Sequence, residues 1–329
     1  MLKNLSQKTI LYSFLSFIPF IIILIALILN CGGTSTATPD DNDDDDGVVA
    51  GETIDGDDTT VSNGTITKAT MTVEGTSRSV SFFVPTDVGS SPPLVIAFHG
   101  TSGNSEEWVA SGDPSGLQYL AHANGFIIAA PQSRYIDDED WDHEGFSDYY
   151  WETAAPNGQS TATNVDLMFV QQIIASAATT YGINTNRVYS LGFSNGGFFA
   201  LLTAMVLNDE IAAFAEAGSG LVTCETTRSC TAEVASSTTC STIIASSGCS
   251  CSGSEKPITI PSSGRKVPGF LGHNNQDDTV SVYYTCYLAN RLDDLGYTYE
   301  VLIGDEEGHG FPSGFLPDAW EFMSAYELP

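Results

Sequence analysis

Read for the spacing of its apolar and polar positions, the chain changes character near residue 67. From there on, short apolar runs of β type alternate with stretches whose apolar residues recur at helical spacing. Met71–Glu74 and Val80–Pro85 alternate about Gly75 as a half-exposed hairpin would. Leu94–Phe98, Phe126–Ala130 and Arg187–Phe193 are continuous apolar runs, as expected of parallel strands covered on both faces. Ala212–Ala217, Val267–Leu271 and Thr298–Ile303 add three further predicted strands. Between them Thr163–Tyr181, Gly197–Leu207, Tyr283–Leu295 and Ala319–Tyr326 read as helices, the first opening on a capping pair of Thr163 and Asp166. Strands spaced by helices predict one α/β domain over residues 67–329 with a mostly parallel, doubly wound sheet. A Ser/Thr/Cys/Gly-rich stretch at 218–264 interrupts the alternation and is read as an insertion.

The residues before the domain have a different logic. Lys3 and Lys8 precede an almost wholly apolar run from Ile10 to Leu29, the pattern of an export signal. Cys31 follows at once in Ile28-Leu29-Asn30-Cys31-Gly32-Gly33, which resembles a bacterial lipobox, although Asn30 stands where a small residue is usual. Residues 1–31 are therefore expected to be a signal with Cys31 as the lipidated residue, anchoring the protein to a membrane or leading to its secretion. Residues 32–66 hold Gly, Thr, Ser and Asp, including Asp43–Asp46, and no Lys or Arg. So little apolar surface cannot offset the cost of ordering the segment, and it is predicted to be an acidic, disordered tether.

Charge and cysteine usage sharpen this picture. The chain carries 41 acidic against 11 basic residues, a formal net charge of -30, which repels nucleic acid and excludes it as an expected partner. Six cysteines remain when Cys31 is set aside: Cys224, Cys230, Cys240, Cys249, Cys251 and Cys286. In an exported domain they are expected to form three disulfides, at least one tying the insertion to Cys286 in the domain body. A zinc site is disfavoured because no Cys-x-x-Cys pair or nearby His completes a tetrahedral set.

The sharpest chemical motif is Gly192-Phe193-Ser194-Asn195-Gly196. Gly-x-Ser-x-Gly is short, but here it lies between an apolar strand and a helix, the context in which the cramped turn pushes a nucleophilic serine to its tip. A serine hydroxyl needs a base held against it. In α/β-hydrolases the order along the chain is Ser, then an acid, then His. Of the five histidines only His273 and His309 follow Ser194, and His309 lies in the loop between the last strand and the last helix, the position of the base. The acid belongs in the loop after the preceding strand, where Asp277 and Asp278 qualify equally by spacing. Two backbone N–H groups must hold an oxyanion. Asn195, after the nucleophile, supplies one, and Thr101 in His99-Gly100-Thr101-Ser102-Gly103 is assigned the other. His99 is read as a structural imidazole that ties this loop down.

Taken together, His99-Gly100-Thr101, Asn164-Val165-Asp166 leading to Asn186-Arg187-Val188-Tyr189, Gly192–Gly197, His273–Val280 and Gly308-His309 resemble the poly(3-hydroxybutyrate) depolymerase / feruloyl esterase family over residues 68 to 325. The resemblance implies an α/β-hydrolase fold and a serine esterase working through an acyl-enzyme without a cofactor or metal. It implies a polymeric or oligomeric ester as substrate: a polyhydroxyalkanoate, or a feruloyl or acetyl ester on plant polysaccharide. By position in the family's His-Gly-Thr-x-Asp-x-x-Val segment it selects Asp277 as the acid. Asn274 replaces that segment's glycine, and the cysteine-rich stretch has no counterpart in the matched motifs. In related esterases an aromatic before the Thr163 helix lines a subsite, which points to Trp151 as substrate-binding. A serine peptidase on the same fold and a non-catalytic surface-binding protein are the rival readings, separable by amide hydrolysis and by reactivity with an organophosphonate.

Overall fold

The computed structural model describes residues 59–61, 63–109, 116–136, 148–153, 159–221, 227–230, 239–246, 249–252 and 258–329. The chain divides into residues 1–50 and 51–329, and every described element belongs to the second unit. The expected signal, Cys31 and the tether up to residue 58 lie outside the described residues. Among the described residues no helix is long and apolar enough to cross a membrane.

The elements follow the predicted alternation and extend it. Strands β1 (Thr59–Val61), β2 (Gly64–Val73), β3 (Thr76–Pro85) and β4 (Leu94–Phe98) come first, then helix α1 (Leu117–Asn124) and β5 (Ile127–Pro131). A small hairpin, β6 (Arg134–Ile136) and β7 (Asp148–Tyr150), precedes α2 (Val165–Tyr181), β8 (Val188–Phe193), α3 (Asn195–Val206) and β9 (Ala213–Ala217). The insertion supplies β10 (Thr227–Cys230), α4 (Cys240–Ser246) and β11 (Cys249–Ser252). The chain closes with β12 (Gly269–Gln276), α5 (Tyr283–Asp294), β13 (Tyr299–Glu307) and α6 (Phe315–Ser324).

Nine strands form one sheet in the order β1-β2-β3-β5-β4-β8-β9-β12-β13. The first three and β5 pair antiparallel; from β5 across to β13 every pair is parallel. Because side chains alternate across a strand, β4 sends Leu94, Ile96 and Phe98 to one face and Val95 and Ala97 to the other. The first face is covered by α2, α3 and α5 through residues such as Phe169, Phe199 and Leu288, and the second by α1 and α6 through Leu117, Ala121, Phe315 and Phe322. Both faces are thus buried, which is why the central strands read as unbroken apolar runs.

Two boundaries differ from the sequence reading. The tether expected over 32–66 ends earlier, since Thr59–Val61 and Gly64–Ile66 already lie in strands. The long β2/β3 ladder, which pairs Gly64 with Pro85 and Ile66 with Phe83, reaches further back than the composition suggests, and Ile66 is buried beside Phe83. The α2 cap is Asn164 rather than Thr163: its side-chain carbonyl accepts from the N–H groups of Asp166 at 2.8 Å and Leu167 at 3.1 Å. In the insertion, Cys240 on α4 is disulfide-bonded to Cys286 on α5, so the expected bridge between insertion and domain body is present. Cys230 and Cys249 are register partners in the β10/β11 ladder, and Cys224 lies outside the described residues.

Candidate active site

β4 is flanked by β5 on one side and β8 on the other, so the winding direction reverses between β4 and β8. Loops leaving the carboxyl ends of two such strands part and open a crevice. The His99–Gly103 loop leaves β4 and Ser194 leaves β8 at this point. A Cβ placed on Gly100 would sit 3.3 Å from the Ser194 Cβ, so the two loops are in contact.

Ser194 adopts φ 55° and ψ −125°, a conformation that costs about 1–3 kcal/mol for a residue with a side chain. The turn is held by the Ser194 N–H donating to the Ala217 carbonyl at 2.9 Å, and by the Ser194 carbonyl accepting from Gly197 at 2.9 Å and Phe198 at 3.1 Å. Its flanking glycines are dictated by space. A Cβ on Gly192 would lie 2.0 Å from the Gly196 oxygen, and one on Gly196 would lie 2.2 Å from the Phe98 oxygen.

The structure separates the two candidate acids that spacing left level. Asp277 is buried, and its Oδ2 accepts from His309 Nδ1 at 2.6 Å. Its Oδ1 accepts from the N–H groups of Thr279 at 2.9 Å and Val280 at 2.8 Å, and His273 Nε2 lies 3.3 Å from Oδ2. Burial alone would raise its pKa; the donors from His273, His309 and Val280 outweigh burial and hold the carboxyl well below the ordinary range. Asp278 is exposed, and the Thr279 hydroxyl donates to it at 3.3 Å.

His309 shows its other face to the elbow. Its ring packs on Phe193, the residue before Ser194, with centroids 4.6 Å apart, and a Cβ on Gly218 would come within 3.0 Å of its Cε1. With Nδ1 directed to Asp277, Nε2 is buried and has no hydrogen-bond partner among the described residues. A neutral imidazole so arranged holds its proton on Nδ1 and a free lone pair on Nε2. Asn274, where the resemblance expects glycine, has a use here: its Nδ2 donates to the Gly310 carbonyl at 3.2 Å, tying the acid strand to the histidine loop.

Thr101 and Asn195 stand on the two contacting loops. Asn195 is the first residue of α3, so its N–H has no carbonyl one turn earlier in the helix. Neither this N–H nor that of Thr101 donates to a backbone carbonyl among the described residues. His99 is wholly buried: Nδ1 donates to the Gly100 carbonyl at 2.7 Å and Nε2 accepts from the Ser133 N–H at 3.2 Å. Burial, only partly offset by the Gly100 carbonyl, lowers its pKa to about 4, so it is a neutral structural group as the sequence suggested.

Trp151 requires a correction. It is 0% exposed, stacked on Phe199 and edge-on to Phe98, so its ring has no surface to offer a substrate. Its indole N–H donates to the His99 carbonyl at 2.9 Å. An aromatic placed near the site by sequence order was here drawn into the core, because an indole finds both apolar contact and a carbonyl there.

Two features were missed by sequence. Glu216 on β9 is wholly buried, accepts a hydrogen bond from the Ser219 hydroxyl, and is pushed up to about 8 by burial, which that hydroxyl counteracts only in part. One acid inside the apolar run Ala213–Ala217 was the available signal. Asp166, read from the sequence as a cap and as part of the Asn164-Val165-Asp166 motif but not as an ion-pair partner, forms a buried ion pair with Arg78 at 2.8 Å, with Arg134 Nε 3.5 Å away. Among the described residues no group of three His, Cys, Asp or Glu is placed to hold a metal.

Sheet order, elbow and the two loops define an α/β-hydrolase fold, and solved structures agree. An S-formylglutathione hydrolase from Agrobacterium tumefaciens superposes with a TM-score of 0.55 at 12% identity, over 83% of this chain and 98% of that one. An acetyl xylan esterase from Paenibacillus sp. R4 gives 0.50 at 15% identity, over 84% and 90%. No protein-family profile matches the chain. The sequence resemblance is matched by individual relatives. A bifunctional acetylxylan esterase/xylanase from Neocallimastix patriciarum is 27% identical over 43% of this chain and 18% of its own length. Feruloyl esterase B from Thermothelomyces thermophilus is 23% identical over 37% of each. Poly(3-hydroxyalkanoate) depolymerase C from Paucimonas lemoignei is 24% identical over 44% of this chain and 31% of its own length. The matched stretch thus spans well under half of each of these relatives.

Proposed function

We propose that this protein is an exported serine esterase with Ser194 as nucleophile, His309 as base, Asp277 as the acid that orients it, and the Thr101 and Asn195 N–H groups as the oxyanion hole. One observation carries the reading: the 2.6 Å Asp277–His309 hydrogen bond leaves a buried Nε2, without a hydrogen-bond partner among the described residues, beside the turn that presents Ser194. His309 Nε2 takes the Ser194 proton as Oγ attacks the ester carbonyl, and the negative oxygen is met by the two N–H donors. The imidazolium, stabilised by Asp277, gives its proton to the leaving alcohol, and an acyl-enzyme remains. Water, deprotonated by the same nitrogen, attacks the acyl carbonyl and releases the acid and Ser194. The chemistry calls for no cofactor.

The names of the matched relatives support a polymeric or oligomeric ester as substrate, either a polyhydroxyalkanoate or an acetyl or feruloyl ester of plant polysaccharide. The Cys240–Cys286 disulfide supports an oxidising, extracytoplasmic location, and the apolar run Ile10–Leu29 with Cys31 two residues beyond it supports a lipid or signal anchor in a membrane. The test is hydrolysis of polyhydroxybutyrate, methyl ferulate, acetylated xylan and a peptide amide by wild type and Ser194→Ala. The reading expects one ester class to dominate and Ser194→Ala to lose about 10⁴-fold or more in turnover. Amide cleavage without ester cleavage, or a Ser194→Ala variant keeping a few per cent of activity, would overturn it.

A further inference from the structure

We infer that residues 149–151 form a positioning strap that holds both halves of the oxyanion hole in register, an inference that rests on the serine esterase reading above. The strap grips the Thr101 loop on both sides of Thr101. On one side the Trp151 indole N–H donates to the His99 carbonyl at 2.9 Å; on the other the Ser102 N–H donates to the Tyr149 carbonyl at 3.1 Å. The Ser102 hydroxyl adds a hydrogen bond to Asp148, next to the strap. Ser102 itself sits at φ 62°, so this turn is strained and held by its neighbours rather than by its own preference.

The same strap grips the second donor. Asn195 contributes more than its backbone: its Oδ1 accepts from the Trp151 N–H at 2.7 Å and its Nδ2 donates to the Trp151 carbonyl at 3.3 Å. Asn195 and Trp151 are both buried, so no water competes for these bonds. Residue 151 thus touches the loop of one N–H donor through its side chain and the residue of the other through its backbone. The next residue, Glu152, fixes the strap to the start of α2: its N–H donates to Asp166 Oδ2 at 3.0 Å and its carbonyl accepts from Asn164 Nδ2 at 3.0 Å. The buried Arg78–Asp166 pair anchors that end in turn. An oxyanion hole works only when its donors are fixed where charge develops, and the strap is the element that spans both.

The test uses Trp151→Phe, which keeps an aromatic ring but removes the indole donor, and Asn195→Ala, which removes the side-chain grip while leaving the backbone N–H. Steady-state kinetics on p-nitrophenyl butyrate and inhibition by butylboronic acid are measured for each variant and for the double variant. The boronic acid accepts the Ser194 oxygen at boron, His309 takes the displaced proton, and the anionic boronate oxygen occupies the hole. Each single variant is expected to lose about tenfold or more in kcat with KM within about threefold, and to bind the boronate more weakly by a similar factor. The double variant should lose less than the product of the single losses, since both act through one element. Unchanged boronate affinity, kcat within twofold, or fully multiplicative losses would overturn the strap. If Trp151→Phe does not fold, Asn195→Ala alone decides by the same kcat and boronate criteria. Wild-type enzyme that neither hydrolyses esters nor reacts with an organophosphonate would overturn the esterase reading and the strap with it; a reactive wild type with unaffected variants overturns the strap alone.

Discussion

Replacing Asp277 by asparagine probes the base and its orientation together. Asp277 Oδ1 is fixed by the N–H groups of Thr279 and Val280 at 2.9 and 2.8 Å, so the amide oxygen of the variant must take that place. The amide nitrogen then faces His309 Nδ1 across a gap of 2.6 Å, where two donors oppose each other. The imidazole relieves this by carrying its proton on Nε2, the nitrogen that the proposed mechanism needs free to accept the proton of Ser194. Loss of the working tautomer, with loss of the charge that stabilises the imidazolium, is expected to lower kcat by about 10³–10⁴, or about 4–5.5 kcal/mol of transition-state stabilisation. Asp278→Asn alters an exposed carboxylate whose hydroxyl donor, from Thr279, is 3.3 Å away, and is expected to change kcat by less than about threefold. The assay is hydrolysis of a soluble p-nitrophenyl ester by both variants, with thermal melting to check that each is folded. Equal losses, or a larger loss at Asp278, would refute the assignment of the acid.

Two further predictions concern stability. Glu216 titrates near 8 because burial favours its neutral form, so that form's stabilisation is complete below the ordinary glutamate range and is lost as pH rises through about 8. The melting temperature should therefore fall over this window, and Glu216→Gln should flatten the fall; parallel curves for the two proteins would contradict the buried, protonated carboxyl. The Cys240–Cys286 bridge spans 46 residues of sequence, and the chain-entropy estimate gives it about 4 kcal/mol. The Cys240→Ser/Cys286→Ser double variant should show a clearly lower urea midpoint, and an unchanged midpoint would remove the bridge from the account.

Much of the fold was legible because its signals are local. Unbroken apolar runs such as Leu94–Phe98 mark strands buried on both faces, and the Gly192–Gly196 motif between a strand and a helix marks the elbow. What stayed hidden depends on contacts between distant parts of the chain. Asp277 and Asp278 differ by one place in sequence and face opposite environments, which only the turn geometry determines. Trp151 looked like a ligand platform because its position relative to α2 was readable but its burial was not. All of β1 and the start of β2 were read as tether because polar strands at a sheet margin owe their order to backbone pairing, which leaves little trace in composition. The strap and its grip on Asn195 join residues 44 positions apart, and no periodicity could have announced them.

The account stands most directly on the reactivity of Ser194. Wild-type protein and Ser194→Ala would be treated with a fluorophosphonate, and the intact mass, modified peptide and residual esterase activity measured on the same samples. The account predicts a single adduct on the peptide holding Ser194, formed in step with loss of activity and absent from Ser194→Ala. Absence of an adduct on an active wild-type enzyme, or an adduct on another residue whose formation tracks the loss of activity, would contradict it.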